Sequence, residues 1–227
     1  MNRNSIQVIV PSYNLEQVSY FLSNYETIDY SFIFVLPSSE LITNHNSQHT
    51  FINQSGTGIY NAINDGIKYS TSNFYIICGC DDYIDLHALN LIDIKLLSDV
   101  NVFPVLINDN LHFAQRFIFT DAHKALISEH SVGTIFRSEL HHTHNFYDEN
   151  LIVASDAKYI LLLKSRSVAF KYFNISLGKY SICGTSSRRY VLGQTELLKS
   201  MFRYFPFISL FFTLFYIYRI SRKILQN

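Results

Sequence analysis

The sequence contains little of what marks several classes of protein. Of its 227 residues only 8 are Gly and 4 are Pro, and charged residues make up 16%. This scarcity, combined with 48% hydrophobic residues, excludes a disordered chain. Three cysteines, Cys78, Cys80 and Cys183, do not make a disulfide framework, and their odd number suits a reducing compartment. The sequence therefore predicts one large folded domain with a substantial core, plus an appendage.

Signals for export, membrane crossing and nucleic-acid binding are missing too. The first residues run straight into a short apolar strand, without the pattern of a signal peptide, so we expect a cytoplasmic protein. No nucleic-acid-binding motif is present, and we expect no nucleic-acid partner. The uncharged run at 204–218 has fifteen residues, which is short for a membrane span of about twenty.

The charges are distributed unevenly although the net charge is zero. Residues 1–156 carry 6 Lys or Arg and 17 Asp or Glu, whereas residues 157–227 carry 12 Lys or Arg and one acidic residue, Glu196. A basic C-terminal part favours an anionic partner, either membrane lipid or a diphosphate substrate. The aromatic content and basic flanks of the 204–218 run favour an interfacial helix or a shallow insertion near anionic lipid. Packing on the folded domain or on a second copy is the alternative.

Short apolar runs alternate with segments of helical periodicity, which indicates an α/β domain. Strands are predicted at 6–10, 32–36, 51–52, 74–80, 102–107, 168–173 and 175–177, and helices at 15–24, 58–69, 86–97 and 157–163. The histidines at 141, 142 and 144 have no companion Cys or Asp at zinc-site spacing, so we interpret them as a solvated helix end.

The chain is organised around residues 55–85. Ile59, Ile63 and Ile67 place an apolar stripe on the predicted 58–69 helix, and the apolar 74–80 strand leads to Asp81 and Asp82. Ligands of open α/β sheets bind at the carboxyl ends of strands, where such carboxylates could hold a divalent metal. An ordinary solvated turn is the alternative.

Four motifs occur in a fixed order: VIVPSYN at 8–14, GIYNAINDGI at 58–67, GCDDYI at 79–84 and ASD at 154–156. Together they resemble family 2 glycosyltransferases, particularly bacterial enzymes of capsule, O-antigen and exopolysaccharide assembly. The resemblance covers about residues 5–200 and implies a GT-A fold, a Rossmann-like, mostly parallel sheet flanked by helices. We therefore predict a GT-A-like domain at 1–200 and a C-terminal hydrophobic, membrane-associating helix at 201–227.

The resemblance also implies a reaction. A sugar would pass from a nucleotide-diphosphate donor, with UDP the first choice, to a lipid-linked glycan of capsule or lipopolysaccharide synthesis, at the inner face of the cell membrane. Asp82 would hold Mn²⁺ or Mg²⁺, and Asp156 would be the general base of an inverting displacement. At a helix start Asp156 should gain from the helix dipole and stay ionised; a simple N-cap is the alternative.

Further residues of these motifs, and of two other stretches that resemble the family, are candidates for donor binding. His130 lies in EHSVGTIFR at 129–137, and Arg188 lies in CGTSSRRY at 183–190, which could be a flap that closes over a diphosphate. The donor-binding candidates are Pro11, Ser12, Tyr13, Asn61, Asn64, Asp81, His130 and Arg188.

The sequence departs from the family pattern at two points. The Asp that usually follows the second strand is replaced by Pro37, Ser38 and Ser39, and the Asp usual before GIY is Gly56. These departures favour an alternative function, a catalytically silent binding or scaffold subunit of a polysaccharide assembly complex. A nucleotidyltransferase is a weaker alternative, because no Gly-rich phosphate loop with Arg or Lys follows the first strand.

Overall fold

A computed structural model describes residues 6–25, 30–39, 48–112, 130–181, 188–207, 209, 213, 217 and 221. The strands are β1 (Ile6–Pro11), β2 (Phe32–Leu36), β3 (Thr50–Asn53), β4 (Phe74–Ile77), β5 (Tyr83–Ile84), β6 (Val100–Val102), β7 (Val105–Ile107), β8 (Asn110–His112), β9 (Thr134–Arg137), β10 (Phe170–Tyr172) and β11 (Gly178–Lys179). The α-helices are α1 (Leu15–Ser23), α2 (Ile59–Tyr69), α3 (Leu86–Asn90), α4 (Leu140–His144), α5 (Ser155–Ser165) and α6 (Tyr190–Tyr204). Two 3₁₀ turns cover Ile94–Leu96 and Ser131–Gly133.

Seven strands form the main sheet in the order β10-β6-β9-β4-β1-β2-β3. Its neighbouring strands pair in parallel except at β9, which is antiparallel to both β4 and β6. A smaller sheet has the order β5-β11-β7-β8. The predicted α/β class with a mostly parallel sheet flanked by helices is confirmed.

The main sheet is buried on both faces, as its apolar strands predict. One core cluster packs α2, α5 and α6 on one face, and a second packs α1 and the smaller sheet on the other. Helix α2 lies close to the sheet because residue 66 is Gly: a Cβ there would be 2.5 Å from Ile9 Cγ2. This close packing brings the N-terminal end of α2 beside the ends of β1 and β4, where the candidate site lies.

Strand β4 is shorter than predicted. It ends at Ile77, although the Cys78 N–H still donates to the Ile9 carbonyl. The chain then turns, and the Asp82 N–H donates to the Gly79 carbonyl. Cys78 and Cys80 are both buried, but the turn means that they do not share a strand face; Cys183 lies outside the described residues.

The predicted strand at 102–107 is wrong, because two strands of different sheets occupy it. Strand β6 belongs to the main sheet and β7 to the smaller one, with Phe103 and Pro104 between them. Pro104 has no N–H to donate to a ladder, whereas its carbonyl accepts from Leu177 N. The chain therefore crosses between sheets at this proline.

The predicted helix at 86–97 breaks after five residues. The Asp93 side chain accepts from Lys95 N and starts a separate 3₁₀ turn. Leu89 is buried whereas Leu96 is 57% exposed, so they do not share an apolar face. The later strand predictions are too long at 168–173 and misplaced at 175–177, since the structure has β10 and β11 instead.

The predicted C-terminal helix lies largely outside the described residues. Of the 204–218 run the structure describes 204–207, Ser209, Thr213 and Ile217. Within the described part of the chain no helix has the length and apolar character needed to cross a membrane. The division at residue 200 and the membrane-associating role of the tail stay predictions.

Candidate active site

A cleft of about 630 Å³ opens beside the carboxyl ends of β1 and β4, where ligands of α/β sheets bind. Its volume suits a small-molecule ligand. Seven of the ten predicted site residues line it: Pro11, Tyr13, Asp81, Asp82, His130, Asp156 and Arg188. The chain fold thus brings together residues that are up to 177 positions apart in sequence.

Asp82 is the buried member of the acidic pair. It is 7% exposed, and its Oδ1 accepts the Ser181 N–H at 2.9 Å. Burial raises the pKa of Asp82 to about 7, the Ser181 N–H opposes that rise, and the charge of Asp81 adds to it. A Cβ at Gly79 would lie 2.8 Å from Asp81 Oδ1 and 3.1 Å from Asp82 Oδ2. Because residue 79 has no side chain, one oxygen of each carboxylate can lie close to its backbone.

This pair fits a hard divalent cation. Mg²⁺ and similar ions prefer oxygen ligands and are commonly held by one or two carboxylates together with substrate phosphates. Burial and the nearby second carboxylate both disfavour the ionised form of Asp82, and a bound cation would favour it. No cluster of three or more His, Cys, Asp or Glu suited to a metal occurs in the described ranges.

Asp156 lines the same cleft as this pair and lies in the first turn of α5. Its Oδ1 accepts from Ala157 N at 2.8 Å, and the Tyr60 hydroxyl donates to it at 3.2 Å. Ala154, not Asp156, occupies the N-cap position, so the simple N-cap alternative does not apply. Burial raises the pKa of Asp156 and outweighs these hydrogen bonds, in contrast to the expected dominance of the helix dipole. A raised pKa suits a general base that works near neutral pH.

The donor-binding candidates divide into two groups. Tyr13 is 63% exposed at the cleft, and its N–H donates to Gln17 Oε1 at 3.0 Å. His130 stacks on Tyr180 with ring centroids 3.7 Å apart. Ser12 does not line the cleft: it is buried, with its Oγ 2.9 Å from Cys80 Sγ.

Asn61 and Asn64 lie outside the cleft lining and connect α2 to the segment before α5. Their Nδ2 groups donate to Glu149 Oε2 at 3.0 Å and Oε1 at 2.8 Å, respectively. Asn61 Oδ1 accepts from Gly56 N at 2.8 Å, and Asn64 Oδ1 accepts from Tyr147 N at 3.0 Å. The structure gives both side chains structural partners, and their predicted contact with a donor has no support from this geometry.

Sequence reasoning missed several residues of the site. Tyr60, Tyr147 and Tyr180 line the cleft, but aromatic residues are too frequent in this sequence to single them out. Glu149 and Glu196 do not line the cleft, but they accept hydrogen bonds from Asn61 and from the Val153 N–H, respectively. Glu196 had a detectable signal, because it is the one acidic residue of the basic C-terminal part.

The interpretation of residues 141–144 as a solvated helix end is wrong for His141. This ring is 3% exposed and stacks on Tyr159 with centroids 4.6 Å apart. The Asn145 carbonyl can only accept, so His141 Nδ1 carries the proton at 2.9 Å, and Nε2 accepts from the Tyr75 hydroxyl. Burial lowers the pKa of His141 to about 4.

We expect His141 to make the fold sensitive to mild acid. Between pH 6.5 and about 4 the unfolded chain binds a proton at this residue and the folded chain does not. The free energy of unfolding should therefore fall by about 1.4 kcal/mol per pH unit as the pH drops through this range. Urea unfolding at pH 7 and pH 5 should show a smaller loss for His141→Gln than for the wild type, while exposed His142→Gln keeps the full loss. Equal losses in all three proteins would contradict a buried neutral His141.

No family model and no curated protein sequence matches this chain. Its fold is similar to that of S. aureus TarS 1–349, at 16% identity and a TM-score of 0.55 over 88% of this chain and 66% of that one. The same TarS fragment in complex with UDP-GlcNAc gives 13% identity and a TM-score of 0.56 over 88% and 67%. The mannosyltransferase PcManGT from Pyrobaculum calidifontis, in complex with GDP-Man and Mn²⁺, gives 13% and 0.59 over 86% and 62%. The chain thus spans about two thirds of the length of these structures, and the likeness confirms the predicted GT-A-like fold.

Proposed function

We propose that this chain is a metal-dependent, inverting glycosyltransferase. It would transfer a sugar from a nucleotide-diphosphate donor to a lipid-linked glycan in surface polysaccharide synthesis. One observation carries the proposal: a single cleft holds the Asp81–Asp82 pair after β4 and Asp156 at the start of α5. Structures of similar fold hold UDP-GlcNAc, or GDP-Man with Mn²⁺, which supports a nucleotide-sugar donor.

The donor would occupy the part of the cleft between β1 and β4. Tyr13 and Pro11 lie at the end of β1 and would contact the base, for which uridine is our first choice because TarS is known with UDP. Asp82, with Asp81, would hold Mn²⁺ or Mg²⁺, which when bound stabilises charge on the leaving diphosphate. Arg188 and His130 line the same cleft and would face the phosphates.

Asp156 would take the proton of the acceptor hydroxyl. The oxygen of that hydroxyl attacks the anomeric carbon from the face opposite the diphosphate, and the bond to the diphosphate breaks with its electron pair. One displacement inverts the configuration, so an α-linked donor gives a β-linked product. The Tyr60 hydroxyl shares its one proton between the Val153 carbonyl and Asp156 Oδ1. Together with the Ala157 N–H, which donates to the same oxygen, it would orient the carboxylate and leave its other oxygen for the proton.

The C-terminal part would bring the enzyme to its lipid-linked acceptor at the inner face of the cell membrane. Phe207 is 92% exposed, and Ile217 is 57% exposed. Arg203 precedes the uncharged run, and Arg219, Arg222 and Lys223 follow it in sequence. An exposed aromatic residue such as Phe207, in a run that has basic residues next to it in sequence, suits contact with anionic lipid.

Turnover of the donor tests this function without knowledge of the acceptor. Incubation with UDP-GlcNAc, UDP-glucose, UDP-galactose or GDP-mannose and Mn²⁺ should release the nucleoside diphosphate from at least one donor. EDTA should abolish the release, and added Mn²⁺ should restore it.

Binding without release would favour the scaffold subunit instead. The observation behind that alternative is Gly56, which stands at the position where the family pattern has an acidic residue. Its N–H donates to Asn61 Oδ1. A donor site without that carboxylate could bind a nucleotide and fail to turn it over. Failure to bind any of the four donors would contradict the proposed transferase and would likewise favour the scaffold subunit.

A further inference from the structure

Glu196, the one acidic residue of the basic C-terminal part, is buried and accepts hydrogen bonds from three backbone N–H groups. It lies on α6 and is 7% exposed. Its Oε1 accepts from Ile152 N at 3.0 Å, and its Oε2 accepts from Val153 N and Ala154 N, each at 2.9 Å. A buried carboxylate that accepts three backbone N–H groups fixes the backbone that carries them.

The packing of α6 against the same segment is close. Gly193 lies one turn before Glu196, on the same side of the helix. A Cβ at Gly193 would be 2.8 Å from Val153 Cγ1, so the helix backbone rests directly on this side chain. Gly193 and Glu196 therefore both hold residues 152–154 against α6, the first by close packing and the second by hydrogen bonds.

The segment held in this way belongs to the wall of the cleft. Ile152, Val153 and Asp156 all line it. Ala154 is the N-cap of α5, and its side chain can make no capping hydrogen bond. Glu196, from another helix, accepts instead the N–H of the N-cap residue itself and of the two residues before it, whereas the Ala157 N–H inside the first turn donates to Asp156. The Val153 carbonyl in turn accepts from the Tyr60 hydroxyl, which also contacts Asp156.

We propose that Glu196 is a positioning residue for Asp156, holding residues 152–154 so that the base enters the cleft in one orientation. This inference rests on the proposed function, in which Asp156 takes the proton of the attacking hydroxyl. A displacement of about 1 Å at a reacting group can lower a rate about 100-fold, so a segment of this kind needs firm support. Glu196 touches neither donor nor acceptor in this arrangement.

The charge of Glu196 has a second effect on the base. It adds to the rise in the pKa of Asp156, for which burial is the largest cause. Loss of the negative charge should therefore move the acidic limb of the rate profile to lower pH. Tyr60 of α2 and Tyr147 are the titratable groups that interact with Asp156 besides Glu196. The other titratable residues lining the same cleft are Tyr13, Tyr20, Cys80, Asp81, Asp82, His130, Tyr180 and Arg188.

The test compares Glu196→Gln with wild type under saturating Mn²⁺, using release of the nucleoside diphosphate from the active donor. We expect kcat to fall about 10- to 100-fold with KM for the donor within about threefold, and the acidic limb to move to lower pH. Amide hydrogen exchange at residues 152–154 should lose protection. Thr195→Lys, an equal change of charge at an exposed neighbour on α6, should keep kcat, the pH limb and the protection.

Glu196→Asp provides a second variant if the Gln variant is unstable. It keeps the charge, so its acidic limb should stay at the wild-type pH while kcat falls because the shorter side chain reaches residues 152–154 less well. An unchanged kcat and pH limb in Glu196→Gln, with wild-type exchange at 152–154, would overturn the inference. If the wild type binds no donor, the proposed function fails, whereas hydrogen exchange still reports whether Glu196 holds the segment.

Discussion

Replacing Asp156 with Asn is expected to lower kcat for sugar transfer or donor hydrolysis by about 10²- to 10⁴-fold, the usual contribution of a general base. The amide oxygen of Asn can still accept from Ala157 N and from the Tyr60 hydroxyl, so the local structure should persist. What the variant loses is the ability to take a proton. The dissociation constant for the donor should therefore stay within about twofold, because the residues proposed to contact the metal and the nucleotide are others of the same cleft.

Asp148→Asn is a matched control for this experiment. Asp148 lies in the segment that precedes α5. Its carboxylate pairs with Lys158 and accepts from Asn150 N. Its loss should reduce stability and leave kcat within a fewfold of wild type. Full turnover by Asp156→Asn would exclude Asp156 as the base, even if Asp148→Asn behaved as expected.

Replacing Asp82 with Asn is expected to abolish metal-dependent donor binding and with it turnover. The same change should stabilise the metal-free protein above neutral pH. The pKa of Asp82 is raised from 3.8 to about 7, so the folded chain retains a proton there that the unfolded chain releases. Stability from this group is present at low pH and is lost at about 1.4 kcal/mol per pH unit as the pH rises towards 7. The Asn variant has no such loss.

Thermal unfolding at pH 6 and pH 8 tests this expectation. Metal-free Asp82→Asn should exceed the wild type in Tm at pH 8 by more than at pH 6. Adding Mn²⁺ with UDP should raise the Tm of the wild type and leave the variant unchanged. Asp93→Asn, a change at an exposed carboxylate outside the cleft, should follow the wild type in its response to Mn²⁺ and UDP. A variant that is stabilised as strongly as the wild type would show that the metal binds elsewhere.

Local patterns were sufficient to predict β1 to β4 of the main sheet, whereas β9 was not predicted as a strand. The 32–36 strand is entirely apolar and is observed as β2, and the apolar stripe of 58–69 is observed as α2. Helix 86–97 failed because Asp93 caps a new turn, and the 102–107 strand failed because Pro104 marks a change of sheet. Periodicity describes a face but not the partner that the face meets, so it could not show either break.

The candidate site divides in a similar way. The motifs were sufficient to bring Asp82 and Asp156 into one prediction, and the structure places both in one cleft. Asn61 and Asn64 share a motif with cleft residues, yet they contact Glu149, because residues three apart lie on one face of a helix and their chain neighbours lie on another. The contact of Glu196 with residues 152–154 joins positions more than forty apart, and no local pattern encodes it.

Calorimetric titration of UDP into the purified chain of residues 1–227, with and without Mn²⁺, tests most directly whether the cleft is a nucleotide-sugar site. Asp82→Asn serves as the matched variant. We predict binding by the wild type that requires Mn²⁺, and loss of that binding in Asp82→Asn under the same conditions. Absence of binding to UDP and to the other common nucleoside diphosphates, or binding that ignores both Mn²⁺ and Asp82, would contradict the assignment of the cleft as a metal-dependent donor site.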